Sequence, residues 1–120
     1  MLRNMLKSKI HKAIITETDL YYEGSISIDR DLMEEVGLIA YEKVSIYNIN
    51  NGNRFDTYVI EGERGSGMIG VNGAAARLVH YGDEIIIVSF ALLNDNEVKT
   101  HKPLVIAIEK DNKIYRKVEK

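Results

Sequence analysis

The sequence predicts a small, mainly β domain closed into a barrel, with two short helices. Three observations carry this. The apolar residues fall in short runs rich in Ile and Val, and polar turns separate them. Asn51-Gly52 sits between two such runs, and both residues tolerate the positive φ of a tight hairpin. Many short strands leave exposed edges unless the sheet closes on itself, so a barrel is favoured over an open sheet.

The elements follow in order. Leu6 to Thr16 is the first candidate strand, and Ser25 to Ile28 alternates polar and apolar residues. Asp31 reads as the cap of a helix from Leu32 to Val36, with Glu34 three residues on and Gly37 as its terminator. Val44–Ile49 and Phe55–Ile60 flank the Asn-Gly turn. Met68 and Ile69 read as strand, and Asn72-Gly73 opens a helical turn from Ala74 to Val79. Glu84 to Leu92 and Leu104 to Ile108 are apolar runs, the second preceded by Pro103. A last hairpin turns at Asp111-Asn112 and returns through Lys113 to Val118. Each helix is followed by a polar turn and a strand, Tyr41-Glu42-Lys43 into Val44 and Tyr81-Gly82-Asp83 into Glu84, which hints at an internal duplication.

The chain has 120 residues, 45% of them hydrophobic, which suits a single soluble domain, 1–120. Net charge is −2 and no basic block stands out, so neither nucleic acid nor a membrane surface is an expected partner. The absence of cysteine excludes disulfides, thiolate nucleophiles and zinc–thiolate sites, and fits a reducing cytoplasm. Met1 to Lys12 is basic but lacks the apolar run of a signal peptide. No carboxylate–histidine cluster has metal-ligand spacing, and no metal is expected.

Three segments could carry chemistry. Gly24-Ser25 is, in isolation, a turn. On a strand from Phe55, residues Arg54, Asp56 and Tyr58 would share one face and Thr57 would take the other; alone this reads as a solvated edge. Gly65-Ser66-Gly67-Met68-Ile69-Gly70 matches a dinucleotide-binding pattern, but no helix opens on those glycines, so that reading is set aside. Glu34-Glu35 reads as a solvated face; Tyr81 and Tyr115 read as packing residues.

Together these segments resemble the pyruvoyl-dependent aspartate 1-decarboxylases. Lys9, His11, Ala13, Asp19-Leu20, Tyr22, Gly24-Ser25, Arg54, Thr57-Tyr58, Gly65-Ser66-Gly67, Asn72 to Arg77 and Gly82-Asp83 recur in that family's order and spacing, from Met1 to about Leu93. Tyr47 departs from the tryptophan expected there but keeps an aromatic ring.

The resemblance implies a six-stranded double-psi β-barrel assembled as a homotetramer, with active sites between subunits. It implies self-cleavage between Gly24 and Ser25 into a β-chain, 1–24, and an α-chain, 25–120. Ser25 would become a covalent pyruvoyl cofactor that forms a Schiff base with L-aspartate, replacing pyridoxal phosphate. Thr57 would assist cleavage at Gly24 as well as contact substrate, and Tyr58 would donate the proton that completes β-alanine. Arg54 would clamp a substrate carboxylate. Lys9 and His11 would add positive charge, unless they are solvated strand residues. Asn72, Gly73, Ala74 and Ala75 would line the substrate, with backbone donors at the helix start, unless the small residues serve packing alone. The pathway implied is pantothenate and hence coenzyme A synthesis. A maturation partner is left open. The rival reading is a non-catalytic barrel serving as a DNA-binding or assembly module, which would call for a basic face.

Overall fold

A computed structural model describes residues 1–119; Lys120, the end of the expected α-chain, lies outside the described residues. The strands are β1 (Arg3–Ile14), β2 (Glu17–Asp19), β3 (Ser25–Asp29), β4 (Lys43–Asn48), β5 (Arg54–Gly62), β6 (Ile69–Asn72), β7 (Glu84–Leu93), β8 (Leu104–Ile108) and β9 (Tyr115–Lys117). Helix α1 covers Arg30–Val36, a 3-10 helix covers Gly73–Leu78, and a short α2 covers Asp95–Val98. No described helix is long and apolar enough to cross a membrane.

The hydrogen-bonded order is β2-β6-β3-β5-β4-β7-β1-β8-β9. Between β1 and β2 lie only Ile15 and Thr16, whose amides donate to Asp83 O and Ile69 O at 2.9 and 2.8 Å. As one bent strand, β1 and β2 touch β7 at one end and β6 at the other. The pairings therefore return to their start after six strand positions, which is barrel closure. Inside lie Ile10, Ile15, Ile26, Ile28, Ile46, Ile69, Ile85 and Ile87, all fully or almost fully buried.

The pairings also repeat. Mapping β1/β2, β3, α1 and β4 onto β5, β6, the 3-10 helix and β7 preserves every strand pairing among these elements. The parallel pair β2–β6 maps onto β5–β3, and the antiparallel pair β4–β5 onto β7–β1. The hinge bonds repeat as well. Tyr41 N donates to Val59 O and Val59 N to Glu42 O; Gly82 N donates to Ile15 O and Ile15 N to Asp83 O. Tyr41 and Gly82 share positive φ, 72° and 87°. Two interlocked halves of this kind make the double-psi arrangement, and they bear out the hint of duplication.

The expected hairpins at Asn51-Gly52 and Asp111-Asn112 are present, joining β4 to β5 and β8 to β9. Helix α1 begins two residues earlier than expected. Its cap is Asp29, not Asp31, and the Asp29 carboxylate accepts from the amides of Asp31, Gly65 and Gly67 at 2.9, 3.0 and 2.8 Å. Both oxygens of this buried group are thus used, and the loop that feeds β6 is pinned to the end of β3. Gly37 closes the helix as expected, and Lys7 Nζ donates to its carbonyl at 2.6 Å. The second helix forms as a 3-10 helix one residue earlier than read. Tyr115 packs on the core as expected, whereas Tyr81 is 78% exposed and packs on nothing in the chain's interior.

Candidate active site

The site is built on three adjacent strands, β6, β3 and β5. The antiparallel register pairs Ser25 with Asn72. The parallel register pairs Ile26 with Val59, so Tyr58 lies level with Ser25, roughly 4.8 Å away between strand axes. Ile26 and Val59 face the core, so Ser25 and Tyr58 take the other face together. The row Asn72–Ser25–Tyr58 therefore runs across one side of the sheet. The same register, continued backwards, brings Thr57 level with Gly24.

Ser25 is 1% exposed, although its position at the start of β3 adjoins an exposed loop. Both faces of β3 are buried, its polar residues as well as its apolar ones. The Ser25 Oγ accepts from Asn72 Nδ2 at 3.0 Å and lies 3.5 Å from the Glu23 carbonyl. Asn72 Nδ2 also reaches Ser27 Oγ at 3.3 Å. Gly73 follows with φ of 74°, and a Cβ there would stand 2.7 Å from Gly24 Cα. Gly24 itself meets nothing within 4 Å at the Cβ position. The tight glycine of the pair is therefore Gly73. Sequence reading missed this contact; the Asn-Gly dipeptide was its one local signal.

Other expected site residues lie elsewhere. Arg54 is four residues before Tyr58 on β5, roughly 13 Å along the strand. Its guanidinium stacks on the Tyr47 ring, 4.1 Å from the centroid, because β4 pairs Tyr47 with Arg54. Lys9 pairs with Val88 on β1, three strands beyond β5 in the sheet order. His11 occupies a bulge of β1 beside Lys12, whose φ is 66°. Ala74 and Ala75 sit in the first turn of the 3-10 helix. One chain thus gathers Gly24, Ser25, Thr57, Tyr58, Asn72 and Gly73, and holds Arg54, Lys9 and His11 apart from them. Among the described residues no group of three His, Asp or Glu side chains is placed to hold a metal.

A family model described as aspartate decarboxylase matches residues 1–115. The chain belongs to the aspartate decarboxylase family. A relative from Thermoanaerobacter pseudethanolicus named aspartate 1-decarboxylase is 58% identical, covering 94% of this chain and 97% of its own length. Namesakes from Caldicellulosiruptor saccharolyticus and Ralstonia pickettii are 56% and 52% identical, each over at least nine tenths of both chains. A designed protein titled "rationally designed mkDPBB_sym_86" aligns with a TM-score of 0.48 at 16% identity, covering 66% of this chain and 91% of its own.

His11 sits half-buried on β1 among basic neighbours. Its imidazole is held below the ordinary value of 6.5, first by burial and then by Lys9, Lys12 and Arg116, with Glu84 opposing. Its Nδ1 is buried without a partner. An unfolded chain would take up a proton first as pH falls, so acidification favours unfolding. We expect the melting temperature to fall as pH drops below about 6.5, and His11→Asn to flatten that fall. A wild-type and variant profile that run parallel would remove His11 as the cause.

Proposed function

We propose that the chain is a proenzyme that cuts itself between Gly24 and Ser25 and then decarboxylates L-aspartate to β-alanine for pantothenate and coenzyme A synthesis in the cytoplasm. The observation that carries this is the junction itself: Asn72 on the Ser25 hydroxyl, Gly73 pressed against Gly24, and Tyr58 level with Ser25. The names and coverage of the relatives support the same reaction, and a non-catalytic DNA-binding or assembly barrel is not favoured.

Ser25 Oγ attacks the Gly24 carbonyl carbon, and its proton passes to the Ser25 nitrogen as the C–N bond breaks. The peptide becomes an ester. Thr57, level with Gly24, is the side chain to donate to the oxyanion formed on the way. Loss of the residue-25 α-proton then breaks the Cβ–O bond and frees the Gly24 carboxylate. Uptake of water and release of ammonia leave a pyruvoyl end on residue 25. The burial of Ser25 fits this order, since substrate cannot reach residue 25 before the chain opens.

Residue 25 and its neighbours suit that group: a buried seat, an amide donor from Asn72, and a glycine wall at residue 73. The pyruvoyl ketone supplies the electron sink for the pair left behind by the departing α-carboxylate. Tyr58, level with residue 25, would be the donor of the proton that completes β-alanine. Gly73, Ala74 and Ala75 offer backbone amides along the substrate. Arg54 binds a carboxylate in two-point fashion.

Arg54 starts roughly 13 Å from Tyr58 along β5, and Lys9 and His11 sit on β1, which pairs with neither β3 nor β5. This supports a homotetramer in which a neighbouring copy completes each site. The outer faces of β4 and β7 carry Tyr47, Ile86, Phe90 and Leu92, with Phe90 and Leu92 44% and 64% exposed, as an unpartnered subunit face would be. Arg54→Lys should leave self-cleavage intact and lower kcat/KM for aspartate by about tenfold or more, the loss of a charge-assisted bond. Unchanged kcat/KM would remove Arg54 from the clamp.

The test of the whole reading is an intact mass spectrum of the denatured protein. A species ending at Gly24, with another beginning at residue 25 and lighter by one ammonia than a serine-started chain, supports it. A single full-length mass that persists on incubation and warming overturns it.

A further inference from the structure

The mechanism leaves the buried hydroxyl of Ser27 unused. Ser27 lies two residues after Ser25 on β3, on the same face and almost fully buried. Its partner in the β3–β6 register is Gly70, which has no side chain. A Cβ at Gly70 would stand 3.7 Å from Ser27 Cβ. The same Cβ would stand 3.5 Å from Glu17 Cβ and 3.8 Å from Glu17 Oε2, so Gly70 separates Ser27 from the neighbouring β2. Asn72 Nδ2 carries two hydrogens, and two acceptors stand before it: Ser25 Oγ at 3.0 Å and Ser27 Oγ at 3.3 Å.

The consequence is orientational. One hydrogen bond to Ser25 would leave the amide free to turn about its last torsion, which is broad and roughly two-fold. A second acceptor on the same nitrogen fixes both the plane and the identity of the nitrogen end. The remaining hydrogen then points at Ser25 Oγ, and the nucleophile is held beside Gly24.

We propose that Ser27 is a positioning residue for self-cleavage, acting through Asn72 to hold the Ser25 hydroxyl in attacking position. This rests on the self-cleaving reading above. It assigns Ser27 no contact with aspartate and no part in proton transfer.

The hydroxyl can be separated from its volume with a matched pair. Ser27→Thr keeps the oxygen, and Ser27→Val replaces it with a methyl group of the same shape. Both suit a strand. Full-length proenzymes would be purified early, and cleavage followed by mass spectrometry, with melting temperatures measured alongside. The expected result is a wild-type rate for Ser27→Thr. Ser27→Val and Ser27→Ala should cut about fivefold more slowly, the rate equivalent of one neutral hydrogen bond. A packing role would slow Thr and Val alike, and that result overturns the proposal. So does a Val variant that cuts at the wild-type rate. A wild-type chain that never cuts overturns the self-cleaving reading itself, which the wild-type control reports separately.

Discussion

Tyr58→Phe should give a protein that cuts itself fully yet turns over aspartate roughly a hundred to ten thousand times more slowly, the span attributed to a lost general acid. The expectation rests on register. Tyr58 stands level with residue 25 on the same face of the sheet, while Thr57 faces the other way beside Gly24. On the proposed mechanism cleavage occurs at the Gly24 carbonyl and reprotonation beyond residue 25, so the two side chains would fall to two different steps. Tyr58 is 37% exposed, which lets its proton be replaced from solvent after each turnover. Phenylalanine keeps the ring contact with Tyr41, whose centroid is 6.5 Å away, so the loss isolates the hydroxyl. Mass spectrometry reports cleavage and release of β-alanine reports turnover. An uncut Phe variant would move Tyr58 into the processing step, and a cut variant with normal turnover would require another proton donor.

What the sequence made legible here was mostly local. The Asn51-Gly52 hairpin, the Gly37 helix stop and the strand before Tyr58 are decided by residues within a few positions, and all appear as read. The cap of α1 was misplaced because Asp29 and Asp31 are chemically equal in sequence. Only the loop at Gly65–Gly67, which folds back onto Asp29, separates them. β2 has three residues and no buried side chain, so periodicity could not find it. Its role in closing the barrel depends on pairing with β6, some fifty positions later. The site divides the same way. Asn72 and Gly73 were singled out as substrate contacts, but their grip on Ser25 and Gly24 comes from the β3–β6 register, which no local pattern encodes. The separation of Arg54 from residue 25 is likewise a matter of strand length and direction.

Gly73→Ala should slow self-cleavage on the order of a hundredfold, the penalty for displacing reacting groups by about an ångström. An added Cβ would meet Gly24 Cα at 2.7 Å, Gly24 N at 2.9 Å and the Tyr22 carbonyl at 3.2 Å. All three are backbone atoms, so no side chain can swing aside to relieve the contact. Either the segment before Ser25 moves out or the start of the 3-10 helix moves back, and each path disturbs the carbonyl that Ser25 must attack. Alanine at φ of 74° also carries a backbone penalty of about 1–2 kcal/mol. Gly82→Ala separates the two effects. Gly82 has φ of 87°, but its Cβ would meet nothing within 4 Å. That variant should lose comparable stability and still cut at the wild-type rate. If both variants cut equally slowly, strain in the barrel rather than contact at Gly24 governs the rate. If Gly73→Ala alone is slow, the glycine that matters for processing is the one pressed against the scissile segment, not only the one within it.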